Sequence, residues 1–155
     1  SINTPAIENP ALITKLAKEF GSQCVVVGID SFMKKNDYFV FAKTGCEKSA
    51  YDTKLLTKEW IKQTQDLGAG EIVLNCMNND GVRNGYDIEH INMCIDLANI
   101  PIIASGGAGD MNHFYDVFTD TNASGALAAS VFHKDIFSIS ELKKYLVDKN
   151  IHIRI

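Results

Sequence analysis

The chain has 155 residues, 46% of them hydrophobic and 22% charged, with a formal net charge of -4 at pH 7. That is length and apolar content enough for one domain with a buried core. The acidic balance argues against nucleic acid as the main partner, and no apolar run approaches the ~20 residues of a membrane-spanning helix.

The opening segment, SINTPAIENPALIT, has neither a basic n-region nor an apolar h-region, so it does not read as a secretory signal. Asn9 is placed to cap a first helix, with Pro10 at its first position, an apolar face over Ala11 to Phe20, and Gly21 as its stop. Cys24 to Ile29 is short, continuous and rich in β-branched residues, the pattern of a fully buried strand, and it ends on Asp30. Ser31 to Thr53 reads as irregular and polar, with a small hairpin around Tyr38 to Phe41. A second helix is expected from about Leu55 to Leu67, a strand over Ile72 to Leu74, and a third helix from about Ile88 to Ala98. Pro101 to Ala104 is a further apolar strand, followed by Ser105-Gly106-Gly107-Ala108-Gly109 and a helix over about Asn112 to Phe118. Gly125 to Ala129 is a last strand of small residues ending on Ser130, and a Ser138-x-x-Glu141 capping box opens a final helix that runs to about Asp148. Uninterrupted alternation of helix and strand predicts an α/β fold with a parallel sheet and crossover helices.

The four cysteines, Cys24, Cys46, Cys76 and Cys94, show no CxxC spacing and have no paired histidines nearby. Cys24 and Cys76 fall in or beside apolar strands, where a thiol packs as a small hydrophobe. The expectation is a reducing, cytoplasmic compartment with no structural metal, and no motif calls for a cofactor. His90 and His113 lie on predicted helix faces, His133 in a loop and His152 in the tail, positions that suit packing or solvation better than ligation.

In parallel α/β folds the chemistry sits at the C-terminal ends of the strands. The run GAGEIVLNCMNNDGVRNGYD, Gly68 to Asp87, is a buried strand whose C-terminal end is loaded with polar, flexible residues. Asp30 ends the preceding strand, where a carboxylate serves either as a general acid or base or as a loop cap. Asp80-Gly81 can turn the chain and offer a backbone N–H to an anion, although Asp-Gly is also ordinary turn sequence. Ser105-Gly106-Gly107 and Ala129-Ser130 follow the next two strands, and their small residues would let N–H groups approach a phosphate closely. SGGAG lacks the GxGxxG spacing of a dinucleotide site, so phosphate is the preferred ligand.

Taken together, SINT, FGSQCVVVGID, GAGEIVLNCMNNDGVRNGYD, PIIASGGAG and ALAASVFH resemble the cyclase subunit of imidazole glycerol phosphate synthase along the whole chain. The MNNDGVRNGYD wording is most similar to the enteric bacterial branch. The resemblance implies a (βα)8 TIM barrel, of which residues 1–155 would be the C-terminal half, a single domain from the end of the fourth strand through the eighth helix. The chain is therefore expected to be a partial sequence, or half of something that must pair.

The resemblance also implies a reaction. Ammonia from a glutaminase partner subunit passes through the barrel to a ribulosyl-linked carboxamide ribonucleotide with a phosphate at each end. The products, imidazole glycerol phosphate and an aminoimidazole carboxamide ribonucleotide, feed histidine and purine synthesis. Asp30 matches one of the family's two acid–base aspartates; the other has no counterpart here. Asn3 and Thr4 match part of one phosphate site. Asp80, Gly81, Gly106, Gly107, Ala129 and Ser130 match the other, with Asn75 standing where many members carry Thr and Ser105 lining the pocket. Glu71 matches a charged residue at the ammonia entrance, and the Ser31–Thr53 loop is long enough to serve as a lid. The alternatives are the isomerase of the same pathway, a cyclase-like subunit of polysaccharide amidation, and an inert phosphate-binding half-barrel.

Overall fold

The computed structural model describes residues 1–154. The elements run α1 (Thr4–Glu8), α2 (Ala11–Phe20), a 3₁₀ turn (Ser22–Cys24), β1 (Val26–Lys34), β2 (Asp37–Ala42), β3 (Tyr51–Leu56), α3 (Thr57–Asp66), β4 (Glu71–Cys76), α4 (Ile88–Leu97), β5 (Ile102–Ser105), α5 (Met111–Asp120), β6 (Gly125–Leu127), α6 (Ser130–His133) and α7 (Ile139–Asp148). They build a six-stranded sheet in the order β3-β2-β1-β4-β5-β6.

Four strands, β1, β4, β5 and β6, pair in parallel and in sequence order, with helices in the crossovers. Ile2 bridges Val27 in parallel, so the expected strand end at Ser1–Thr4 lies along the lower half of β1. Alternation separates the two faces of this sheet. Val27, Ile29, Ser31, Ile72, Leu74, Cys76, Ile102 and Ala104 are all at most 2% exposed. They share one core with Trp60 and Ile61 of α3, Ile91 and Cys94 of α4, and Phe114 and Val117 of α5. Burying each such aliphatic side chain is worth roughly 1.5–3 kcal/mol. The other face, carrying Gly28, Asp30, Val73, Asn75, Ile103 and Ser105, is less completely covered.

Three expectations need correction. The Ser31–Thr53 stretch is not an irregular lid. β1 extends to Lys34 and turns through Lys35 and Asn36, both at positive φ, and β2 and β3 then add antiparallel strands. The sheet is therefore mixed, and within this stretch only the two turn residues and residues 43–50 lie outside its strands. Pro10, not Asn9, takes the N-cap of α2, and no side chain caps that helix. Cys24 sits in the 3₁₀ turn and is exposed, because the strand begins only at Val26; Cys76 and Cys94 are buried, and all four thiols are free. The Ser138–Glu141 capping box of α7 is present as expected, with Ser138 N donating to Glu141 Oε2 over 2.7 Å. No helix among the described residues is long and apolar enough to cross a membrane.

Polar groups also lie deep in the fold, and one of them ordinarily titrates near neutral pH. His90 is 0% exposed, and its Nε2 is 2.8 Å from the Ser31 hydroxyl. Burial pushes the imidazole from an ordinary 6.5 down to about 4, against a weaker upward pull from Asp87. On acidification the unfolded chain therefore takes up this proton first, so the stability is present above pH 6.5 and is lost as the pH falls toward 4. We expect urea unfolding to show a loss of at most about 3 kcal/mol from this residue across that window. His90→Gln should flatten that part of the profile, and an unchanged slope would disprove the assignment.

Candidate functional site

The register of the parallel strands sets the site. Asp30 pairs with Asn75, Asn75 with Ser105 and Ser105 with Leu127, one row across the C-terminal ends of β1, β4, β5 and β6. The even–odd alternation that buries Ile29 and Leu74 against the helices turns this row to the opposite face.

Asp30 is 7% exposed and accepts three hydrogen bonds. Asn3 Nδ2 donates to Oδ2 over 2.7 Å, the Thr44 hydroxyl to the same oxygen over 2.6 Å, and Asn75 Nδ2 to Oδ1 over 2.9 Å. Each donor has its own positioning device. Asn3 is carried by the Ile2 bridge and lies over Gly28, where an added Cβ would stand 3.5 Å from the Asn3 Cβ. Thr44 follows Lys43, whose N–H donates to the Thr4 hydroxyl oxygen over 2.9 Å and whose ammonium meets Glu8 at 3.1 Å. Asn75 is the sheet neighbour of Asp30. A carboxylate accepts through both oxygens, so three donors from three stretches of chain fix its orientation. Asn3 Oδ1 and Asn75 Oδ1 are buried without a partner among the described residues.

Beside this centre lies a cavity of about 290 Å³. Asn75, Asp80, Gly81, Ser105, Gly106, Gly107, Ala129 and Ser130 all line it. Asn3 and Thr4 do not; they lie beyond Asp30 on the other side of β1. Among the described residues no Lys or Arg lines the cavity, so an anion there would depend on N–H and O–H donors. α6 begins at Ser130 with no side-chain cap, and the first N–H groups of a helix have no partner within it. Gly106 (φ +89) and Gly107 (φ +116) form the opposite wall. A Cβ on Gly107 would run into the Gly85 carbonyl, whose own N–H donates to Gly107 O over 2.9 Å. Asn79 Nδ2 donates to the same Gly85 carbonyl over 3.0 Å. The loops after β4 and β5 therefore interlock through bare backbone.

Glu71 opens β4 on the same face as Asn75, four residues and thus roughly 13 Å away, at the N-terminal end of the sheet. It shares neither the cavity nor the Asp30 cluster.

Three contributors escaped the sequence reading. Thr44 reaches Asp30 from across the hairpin. The Tyr86 hydroxyl donates to Leu127 O over 3.1 Å and ties the end of β6 to the loop after β4. His113 Nδ1 accepts from Gly109 N over 2.9 Å and closes a capping box with Asp110 at the start of α5. The Asp110-x-x-His113 spacing was a readable cap signal; the other two contacts have no local signature.

Four parallel strands with crossover helices and polar residues gathered at their C-terminal ends fit a TIM-barrel type of architecture. The sequence model of the family described as histidine biosynthesis protein matches residues 1–138. The chain belongs to that family. It is 57% identical, over 99% of its own length, to imidazole glycerol phosphate synthase subunit HisF of Aliivibrio salmonicida (strain LFI1238). It is 56% identical to the proteins of the same name from Aliivibrio fischeri (strain MJ11) and Pseudoalteromonas translucida (strain TAC 125). In each case the chain spans 61% of the length of the relative.

The interlock generates a stability contrast. Gly107→Ala should cost at least about 2 kcal/mol in urea unfolding, since it adds a backbone collision to an unfavourable φ. Gly81→Ala, at φ +76 with nothing within 4 Å of the added Cβ, should cost only about 1 kcal/mol from the backbone alone. Equal losses would show that the Gly107–Gly85 contact does not fix these loops.

Proposed function

We propose that the protein carrying this chain is the cyclase subunit of imidazole glycerol phosphate synthase, acting in the cytoplasm with a glutaminase subunit as partner. The observation that carries the reading is the pairing of a three-donor carboxylate, Asp30, with an adjoining cavity built from backbone and hydroxyl donors.

One phosphate of a doubly phosphorylated substrate sits in the cavity on the N–H groups of Gly81, Gly106, Gly107 and Ser130, with the Ser105 and Ser130 hydroxyls as further donors. The second phosphate lies toward Asn3 and Thr4. The Thr4 hydroxyl already accepts from Lys43 N, but its own O–H remains free to donate. The Asn3 amide is committed to Asp30, so its part is to orient that carboxylate. Anchoring both ends places the middle of the substrate over Asp30, and the entropy of alignment is met by binding at the two phosphates.

Asp30 then acts as one member of an acid–base pair. Ammonia, delivered from the glutaminase subunit past Glu71, attacks the substrate ketone carbon, whose oxygen leaves as water, and the new nitrogen then bonds to the formimino carbon as that carbon's bond to the amine of the carboxamide ribonucleotide breaks. Asp30 relays protons as the imidazole ring closes and the carboxamide ribonucleotide departs. The second aspartate of the pair comes from the family's first strand, since these residues correspond to the barrel from the end of strand four through helix eight.

Asp30→Asn in the protein containing this chain should lower kcat with ammonium salt by about 10²–10⁴-fold. Substrate affinity should change by less than about tenfold, because phosphate anchoring is retained. Turnover at the wild-type level would remove Asp30 from the mechanism.

A further inference from the structure

Behind the Asp30 row, on the helix side of the sheet, lies a buried polar cluster that the proposed reaction does not use. Ser31, Thr57 and His90 are each 0% exposed. The Ser31 hydroxyl is 2.8 Å from Thr57 Oγ1, the first residue of α3, and 2.8 Å from His90 Nε2 on α4. The Tyr38 ring of β2 stacks on the imidazole at 3.4 Å and 4°. Its hydroxyl donates to Asp87 Oδ2 over 3.1 Å, while Asp87 Oδ1 accepts the His90 N–H over 3.0 Å and caps α4.

Packing alone does not ask for these residues. An apolar side chain on α4 would fill the same space without the cost of desolvating an imidazole. What the polar cluster adds is fixed geometry among four elements. Ser31 is the residue after Asp30. Its carbonyl accepts from Met77 N over 2.9 Å, and Met33 N donates to Asn78 Oδ1 over 2.7 Å, so the same stretch of β1 also holds the start of the loop that carries Asp80 and Gly81. Tyr38 belongs to the strand that leads to Thr44, a direct donor to Asp30.

We propose that His90 is a positioning residue for the catalytic centre: bonded to Ser31 and stacked on Tyr38, it sets the Asp30–Ser31 segment and the β2 hairpin in register with the loop that walls the anion cavity. This rests on reading Asp30 as an acid–base residue. The ring is neutral at working pH, so it acts through hydrogen bonding and stacking and not through charge.

The test compares His90→Leu, Tyr38→Phe and Cys94→Ala in the protein containing this chain. Cys94 lies against the imidazole, its Sγ 3.7 Å from Nδ1 and 3.9 Å from Nε2, a weak thiol contact whose loss leaves the Ser31 bond and the Tyr38 stack in place, so Cys94→Ala controls for packing around the ring. With the bis-phosphorylated substrate and ammonium chloride, His90→Leu should lower kcat roughly tenfold or more while KM stays within about threefold. Tyr38→Phe should fall between His90→Leu and wild type, and Cys94→Ala should match wild type. Amide exchange gives a readout independent of turnover. The Met33 and Met77 N–H groups should exchange roughly tenfold faster in His90→Leu, while Ala104 in β5 keeps its rate. Wild-type kcat and exchange in His90→Leu, or an equal loss in Cys94→Ala, would overturn the proposal. If the wild-type protein itself shows no turnover, the catalytic reading fails, and the exchange pattern still decides whether His90 fixes this segment. If His90→Leu does not fold, the same comparison in Tyr38→Phe decides.

Discussion

A slip of one residue between β1 and β4 would exchange Asp30 for Ser31 on the open face of the sheet and turn the carboxylate into the helix layer. It would lose its donors Asn3, Thr44 and Asn75, and Ser31 would lose both Thr57 and His90. The observed pairing of Asp30 with Asn75 and of Ser31 with Cys76 prevents this. The apolar set of Ile29, Leu74 and Ala104 belongs on one side, and the polar set follows by geometry onto the other. Core burial and the arrangement of the strand-end residues are thus one constraint seen from two faces.

The two parts of the candidate site are built by different means. Around Asp30 the work is done by side chains: two carboxamides and a hydroxyl from three separate stretches of chain converge on one carboxylate. Around the cavity it is done by main chain, with glycines and a helix start, and no cation among the described residues lines the wall. A carboxylate needs donors with tuned direction. A phosphate, with oxygens all round, can be held by whichever N–H groups the turns expose.

Most of the parallel framework was legible because its signals are local. Continuous β-branched runs marked β1 and β4, and the glycine-rich turns marked where the strands end. The strand-end residues from Asn75 to Ser130 could be grouped because consecutive parallel strands are neighbours. The β2–β3 hairpin was half seen: Tyr38 to Phe41 carried a strand pattern, but Tyr51 to Leu56 holds Asp52 and Lys54 and resembles loop sequence. Its pairing comes from β2. Thr44 and Tyr86 were illegible for a stronger reason. Their partners lie 14 and 41 positions away, and only the closed fold makes either contact. His90 lies on a helix face where the local pattern suits packing or solvation equally. It is buried, but its polar partners come from β1 and β2, elements the local pattern of α4 says nothing about.

The outer strand β3 has a consequence of its own. Its pairing with β2 shifts register between Phe39 and Phe41, and Lys54 bends away at φ +67. Lys34 and Lys54 both bond Asp52 at 2.9 Å. A strand that is bulged, kinked and studded with charges is a poor template for another chain to extend. The hairpin that brings Thr44 to Asp30 therefore also protects one flank of the sheet from intermolecular strand addition, and an aggregation-prone edge is avoided.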